Sequence, residues 1–472
     1  MNSARATTVI ATVAGAVLFV AVVLVLGIQN TLIGIIVLIA TVLLLRFPTV
    51  GVYALVILLP FNGLVSQVTE GTPIPALYGA AKDFILLGLV VIAMVTGRIR
   101  RVPVAVVTLV FATILVAMFS AVFTNDLVQA SYGWRNDYEP LLLLIAVPAI
   151  VDFRAVRGIL GTVIVMGQIS AAVSVLTWTR GLDWLFDIGR LPVANQSDFP
   201  TSLFSSGNLW PRAFSPYVAP NEMAVVMSIL IAVVWLFPRL KLSTRLLLSV
   251  LPIVAIVLSG SRSALLGGIV VGCVLAARAI HSRSNLLSVT FLAIAGLGVA
   301  AGAGLYITNR LGDGGDPSLG GHSSSLEEGI QALVQNPFGV GLGLVGPRAR
   351  NLDTSYHVES FWLLIGLESG IVVLVLFVIL MVFLARRSVA AKTDLGFLAA
   401  AALAASLVSQ LVLPTLQEGA VSFLLWTIVG LSLIALQHEN EPVADESAPT
   451  FTASSQPGRA IAKAPLPRPH GT

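Results

Sequence analysis

The feature that most constrains this chain is a succession of long apolar runs, such as Val104 to Phe123 and Ile159 to Trp178, separated by short links that carry most of the charge. A helix of about 20 apolar residues, rising about 1.5 Å per residue, spans the roughly 30 Å hydrocarbon layer of a bilayer. Composition agrees: 57% of the residues are hydrophobic and 11% charged, which leaves too little polar surface to keep so much apolar material in water. The expected fold is an all-α polytopic membrane protein with about 12–14 transmembrane helices. Residues 1–436 form the membrane domain, and residues 437–472, rich in Pro, Ala, Ser and Glu, read as a disordered tail. The first run, Thr7 to Gly27, is longer than a signal-peptide core and reads as an uncleaved anchor.

Charge and cysteine content narrow the class further. A formal net charge of +4 does not point to nucleic acid, because the basic residues fall in short clusters between apolar runs, where they set topology. Cys273 is the only cysteine and lies within an apolar run, so the chain can form no internal disulfide and no thiolate metal site. With the N-terminus in the cytoplasm, the links around Arg98–Arg101, Arg154–Arg157, Arg239–Arg245, Arg278–Arg283 and Arg386–Lys392 all fall inside. Together with Arg46, Arg5 and the tail, they hold 18 of the 27 basic residues. The positive-inside bias then places both termini in the cytoplasm of a multi-pass plasma membrane protein. Two long loops, about 179–220 and 307–358, face outward.

Nine basic residues break that bias: Lys82, Arg135, Arg180, Arg190, Arg212, Arg262, Arg310, Arg348 and Arg350. Arginine offers a planar fork that binds two phosphate oxygens at once and stays charged at any relevant pH. A set of arginines at the outer membrane boundary is what a lipid-linked pyrophosphate needs. The competing reading, snorkelling to lipid head groups, suits the loop arginines better than it suits Arg262. Arg262 sits in Leu258-Ser-Gly-Ser-Arg-Ser-Ala264, a tight link within the apolar stretch Leu246 to Ala277. A charge deep in the bilayer costs several kcal/mol, so Arg262 lies near the surface or has a partner. Arg212 stands in Trp210-Pro-Arg-Ala-Phe214, and Asn221 heads the next run, either as a helix cap or as support for a site. Arg135 lies among aromatics in Tyr132-Gly-Trp-Arg-Asn-Asp-Tyr-Glu139, where anchoring in the aromatic belt competes with phosphate binding.

The second long loop has internal order. Ser324 with Glu327, or Ser325 with Glu328, fits a capping box, followed by Leu326, Ile330, Leu333 and Val334 at helical spacing. This predicts an amphipathic helix ending at Asn336-Pro-Phe-Gly339. Next come Gly341, Gly343 and Gly346, and then Ser355-Tyr-His-Val-Glu-Ser-Phe361, which opens an apolar run expected to continue to Leu384. His357 and Glu359 are the two candidates for a general base at that boundary. Glu359 and Glu368 are equally candidates for ion pairing with the arginines.

Taken in order, Trp210-Pro-Arg with Pro220-Asn-Glu222, then Leu-Ser-Gly-Ser-Arg-Ser-Ala264, then Asn336-Pro-Phe-Gly-Val-Gly-Leu-Gly343, then Tyr-His-Val-Glu-Ser360 and Gly366-Leu-Glu-Ser-Gly370 resemble the O-antigen ligase and polymerase superfamily. The resemblance covers about residues 212–384. It implies a GT-C-like helical membrane enzyme that transfers a glycan from an undecaprenyl-type pyrophosphate carrier to an acceptor sugar at the outer face. It also implies that the transfer inverts the anomeric centre and uses no metal or other cofactor. On this resemblance Arg212 and Arg262 bind the pyrophosphate, with Arg135 as a further candidate from its position, and His357 is catalytic. Asn221, Glu368 and His322 are possible supports. The chain departs from the family in carrying Val358 and Glu359 after the histidine, where Asn is frequent, so either His357 or Glu359 is the base. It departs again at His322, where an arginine is common.

Partners follow from this chemistry: a polyprenyl-pyrophosphate-linked glycan donor, a glycan or lipid-glycan acceptor and the bilayer, with no nucleic acid. Ligation of a finished glycan and polymerisation of repeat units share this donor chemistry, and the sequence does not separate them. The competing class is a transporter or flippase of lipid-linked glycans, for which internal repeats and broken helices near the midplane are expected. No clear repeat is visible.

Overall fold

A computed structural model of the chain describes residues 34–69, 72–124, 126–187, 212–281, 317–346, 349, 356, 358–411 and 413–440. The expected spans Thr7 to Gly27 and Leu286 to Tyr306 lie outside these residues, as does the tail beyond 440.

Helices α1 (Gly34–Arg46), α2 (Pro48–Leu58), α3 (Asn62–Val68), α4 (Ile74–Val95) and α5 (Val104–Phe119) open the described chain. Then come α6 (Leu127–Gly133), α7 (Leu143–Ile150) and the long α8 (Phe153–Asp187), which bends at Gly181. The chain continues with α9 (Pro220–Leu236), α10 (Leu242–Ser259), α11 (Arg262–His281), α12 (Pro317–Gln335), α13 (Phe361–Ser369), α14 (Ile371–Ala390), α15 (Asp394–Ser409) and α16 (Gly419–Asn440). Among the described residues the only β feature is an isolated bridge between Val345 and Tyr356. Among the described residues seven segments are long and apolar enough to cross a membrane, and four shorter apolar helices accompany them. The protein is an all-α polytopic membrane protein.

Helix α9 is central. It is buried along nearly its whole length and packs against α8, α10, α11, α15 and α16. Small residues bring its neighbours close: α15 contributes the buried run Ala399–Ala402, and a Cβ added at Gly267 of α11 would lie 3.2 Å from the Ala405 carbonyl oxygen. Such contacts let helix backbones approach where lipid offers no hydrophobic drive to association. The outer surfaces are apolar instead, with Leu247 71% and Leu115 63% exposed, as expected where the solvent is hydrocarbon.

Three elements differ from the sequence expectation. The run expected from Phe361 to Leu384 is two helices, broken at Gly370 (φ +91°). There the Pro337 carbonyl turns in to accept from the Ile371 N–H at 2.9 Å, so a loop replaces the lost helical hydrogen bond. Helix α4 begins ten residues before the expected Phe84, which places Lys82 and Asp83 inside it. Helix α12 begins at Pro317, well before the capping box. Ser325 is therefore interior to the helix, and its hydroxyl accepts instead from the Glu359 N–H at 3.2 Å. Leu326, Ile330 and Val334 face outward while Leu333 is buried.

Candidate functional site

The first element of the site is the corner between α10 and α11. Gly260 ends α10 in the left-handed region (φ +61°), a conformation that costs glycine little and other residues more. The Ser261 hydroxyl then lies 3.4 Å from the Ala264 N–H, in the manner of a helix N-cap. Arg262 is thereby the first residue of α11. A helix N-terminus carries partial positive charge and favours an acid, so stability alone does not place an arginine there. The partial positive charge of a helix N-terminus and a guanidinium beside it both favour an anion.

Arg212 is fastened to the same corner. Its Nε donates to the Ser259 carbonyl at 2.5 Å, and the Ala213 N–H donates to the Leu258 carbonyl at 3.0 Å. Its Nη2 donates to Asn221 Oδ1 at 2.8 Å. Asn221 is the second residue of α9, and it holds Arg212 rather than capping the helix. The reach back to the helix entrance is made by Glu222, whose Oε2 accepts from the Val218 N–H at 2.9 Å.

Hydrogen bonds connect this corner to the Glu359 segment through the end of α15. Ser409 Oγ donates to the Ser263 carbonyl at 3.2 Å, next to Arg262. The adjacent Gln410 carbonyl accepts from the Phe361 N–H at 3.0 Å and from Ser360 Oγ at 3.3 Å. The Gln410 side chain is itself held by Thr415 Oγ1 (2.6 Å) and the Leu416 N–H (3.0 Å). Glu359 is half-buried in this segment. His357 lies outside the described residues, and for His322 the description extends only to its place on α12.

Arg135 belongs to a second cluster. It sits in a π-helical turn, Trp134–Tyr138, a local distortion often found at functional sites. Its Nε pairs with Asp83 of α4 at 2.8 Å, and its guanidinium crosses the face of Gly79. Lys82, buried beside it, donates to Asn62 Oδ1 at 3.1 Å and lies 5.6 Å and 5.8 Å from the rings of Tyr78 and Phe423. Burial, and then the charge of Asp83, push the Glu139 carboxyl up to about 8, against the pull of Arg135 and Lys82. This cluster borders the first through α3: Asn62 begins α3, and the Leu64 N–H donates to the Pro216 carbonyl at 2.9 Å.

Glu368 is completely buried. Its carboxyl accepts from the Gly343 N–H and hydrogen-bonds to the Asp137 carboxyl, so its partners are the glycine run and a second acid rather than an arginine. Sequence reasoning missed Asp137 in this role, along with Gln410 and Gln417. Asp137 and Glu368 are 231 residues apart and carry no shared motif. Gln410 and Gln417 frame the gap between two apolar runs, the only visible signal. Among the described residues no three His, Cys, Asp or Glu side chains come together as a metal-binding group.

Residues 247–378 match the family model of the O-antigen ligase. This match supports membership of the O-antigen ligase and polymerase superfamily. The matched segment starts within α10 and ends within α14, and so contains Arg262, His322, His357, Glu359 and Glu368 but not Arg212, Asn221 or Arg135. No curated protein matches the chain. The protein thus combines a multi-pass helical membrane fold with a segment similar to the O-antigen ligase family, a similarity that points to an enzyme acting on glycans.

Proposed function

We propose that the protein transfers a glycan from an undecaprenyl-type pyrophosphate carrier to an acceptor sugar at the outer face of the plasma membrane, without a metal and with inversion at the anomeric carbon. The observation that carries this reading is that Arg212 and Arg262 flank one hydrogen-bonded corner, which Ser409 and Gln410 tie to the Ser360–Phe361 backbone beside Glu359. In this reading the acceptor hydroxyl oxygen attacks the anomeric carbon, and the bond from that carbon to the pyrophosphate oxygen breaks. The leaving pyrophosphate takes the electron pair, and the hydroxyl proton passes to His357 or Glu359. Fixed guanidinium groups and helix N–H groups stabilise the charge that grows on the leaving group. Arg135 sits in the adjoining cluster and is proposed to contact the more distant phosphate or the first sugar. The clustered basic residues of the opposite end favour placing that end, with both termini, in the cytoplasm.

The test is transfer measured in membrane vesicles with lipid-linked donor. Arg212→Lys and Arg262→Lys are expected to insert normally and lose most transfer, since lysine lacks the bidentate fork. Near-normal transfer in both removes the pyrophosphate role. His357→Ala and Glu359→Gln in the same assay assign the base. The carrier-linked glycans that accumulate without the protein separate the two activities: single repeats indicate a polymerase, long unattached chains a ligase.

A further inference from the structure

The glycine run 339–346 is bound along the C-terminal end of α13. The Val340 N–H donates to the Leu367 carbonyl at 2.8 Å, the Gly341 N–H to the Glu368 carbonyl at 3.1 Å, and the Gly343 N–H to the Glu368 side chain. Gly343 has φ +77°, and a Cβ there would collide with the Gln129 carbonyl, so the run passes at backbone contact distance from α6. Thr124 Oγ1 and Gln129 Nε2 donate to the Leu342 and Gly343 carbonyls from that side. Beyond Gly343 the run pairs with the segment carrying the candidate bases. The Tyr356 N–H donates to the Leu344 carbonyl at 3.1 Å, and the Gly346 N–H to the Tyr356 carbonyl at 2.9 Å. Tyr356 adjoins His357 and lies three residues before Glu359.

Beneath the run lies the contact between Glu368 and Asp137, at 0% and 4% exposure. The surrounding groups come from four elements: Gln417 Nε2 donates to Asp137 Oδ2 at 3.3 Å, Tyr138 donates to Ser369 Oγ at 2.6 Å, and Ser120 donates to the same oxygen at 3.2 Å. Two buried carboxyl groups in hydrogen-bond contact repel strongly if both are ionised, so a proton shared between them favours the contact. Protonated in this way, the pair joins the π-helical turn to α13 and leaves Glu368 Oε1 free to accept from Gly343.

We propose that Asp137 and Glu368 are positioning residues: as a carboxyl pair sharing one proton, they anchor the 339–346 run and, through its pairing with Tyr356, set the place of the Val358–Glu359 segment relative to the arginine corner. The catalytic part rests on the transfer reading above, whereas the anchoring part is independent of it. Glutamine at 368 reproduces the protonated state, since its oxygen accepts from Gly343 and its amide donates to Asp137. Alanine removes both contacts.

The experiment uses the full-length protein in membrane vesicles, in a Cys273→Ala, Tyr356→Cys background, with N-ethylmaleimide as the probe. Glu368→Ala is expected to raise the labelling rate at position 356 by about tenfold as the segment opens locally, with Glu368→Gln at the parental rate. In the transfer assay with Tyr356 retained, Glu368→Ala is expected to lower kcat by about 100-fold with donor KM nearly unchanged, the signature of misplaced chemistry rather than lost binding. Glu368→Gln is expected to stay within about threefold of the parent. Unchanged labelling in Glu368→Ala overturns the anchor, and Glu368→Gln as defective as Glu368→Ala in both assays overturns the shared proton. Altered labelling with full transfer removes the catalytic consequence. If the parent itself transfers no glycan, the transfer reading falls while labelling still decides the anchor.

Discussion

At one end of the helical bundle Arg101 meets Asp152 at 3.2 Å with side chains 47% and 73% exposed, and Arg278 meets Asp394 at 2.8 Å. At the other end Arg212 gives hydrogen bonds to a backbone carbonyl and an amide oxygen, and two acids bury themselves against each other. The first arrangement is what a solvated helix end needs: opposite charges in a medium that screens them, worth about 0–1 kcal/mol each. The second is costly and specific. Two of its contacts hold the Arg212 guanidinium by neutral oxygens, and two carboxyl groups lie buried in contact with each other. A chain selected only to span a membrane has no use for such an end.

The comparison breaks most readily at the arginines. Arg262→Lys is expected to cost about 100-fold or more in transfer, on the scale of losing a preorganised donor to a developing anion, while Arg278→Lys leaves transfer near parental. Equal losses at the two positions, in one vesicle assay, erase the functional difference between the ends. Next in size is Asn221→Ala, which frees one arm of Arg212. About a tenfold loss of transfer with normal membrane insertion is expected from removing one hydrogen bond to a charged group, and an unchanged rate shows that the other contacts of Arg212 suffice.

Glu139 supplies a pH test. Its folded-state value of about 8 lies above the ordinary 4.5, so between those values the folded protein binds more protons than the unfolded chain. Stability therefore falls as pH rises from about 4.5 to about 8 and levels off beyond. Melting of the detergent-solubilised protein across that window reads the slope, and Glu139→Gln is expected to flatten it. A slope unaltered by that substitution assigns it to another group. The smallest effect belongs to the exposed end: Asp152→Ala, which removes one partner of Arg101, is expected to change stability by no more than about 1 kcal/mol, and a larger change in the same melting assay shows that this end is built more tightly than its exposure implies.

Much of this was legible in the residues. Apolar runs announced helices, and the short Ser-Gly-Ser link announced a tight corner that carries Arg262. The helix ending before Pro337 was visible from its spacing. Its start was not, because a capping box inside a helix looks the same as one at its head. Gly370 gave a break that an apolar count overlooks, since Phe361 to Leu384 is apolar but for Glu368 and Ser369. The pairing of Asp137 with Glu368, and the bridge from Ser263 through Ser409 and Gln410 to Phe361, join residues far apart in sequence by ordinary side chains, and only the packed fold brings them together.

Only Gly260 and Ser261 separate α10 from α11, and this has a consequence for biosynthesis. A link that short cannot be threaded across the bilayer after its helices have settled, so in the proposed orientation the two helices enter as one hairpin with Arg262 at its leading tip. The single guanidinium is carried across once, between two apolar arms, and emerges already placed. Lengthening that link with flexible residues is therefore expected to loosen the site even where every helix still inserts.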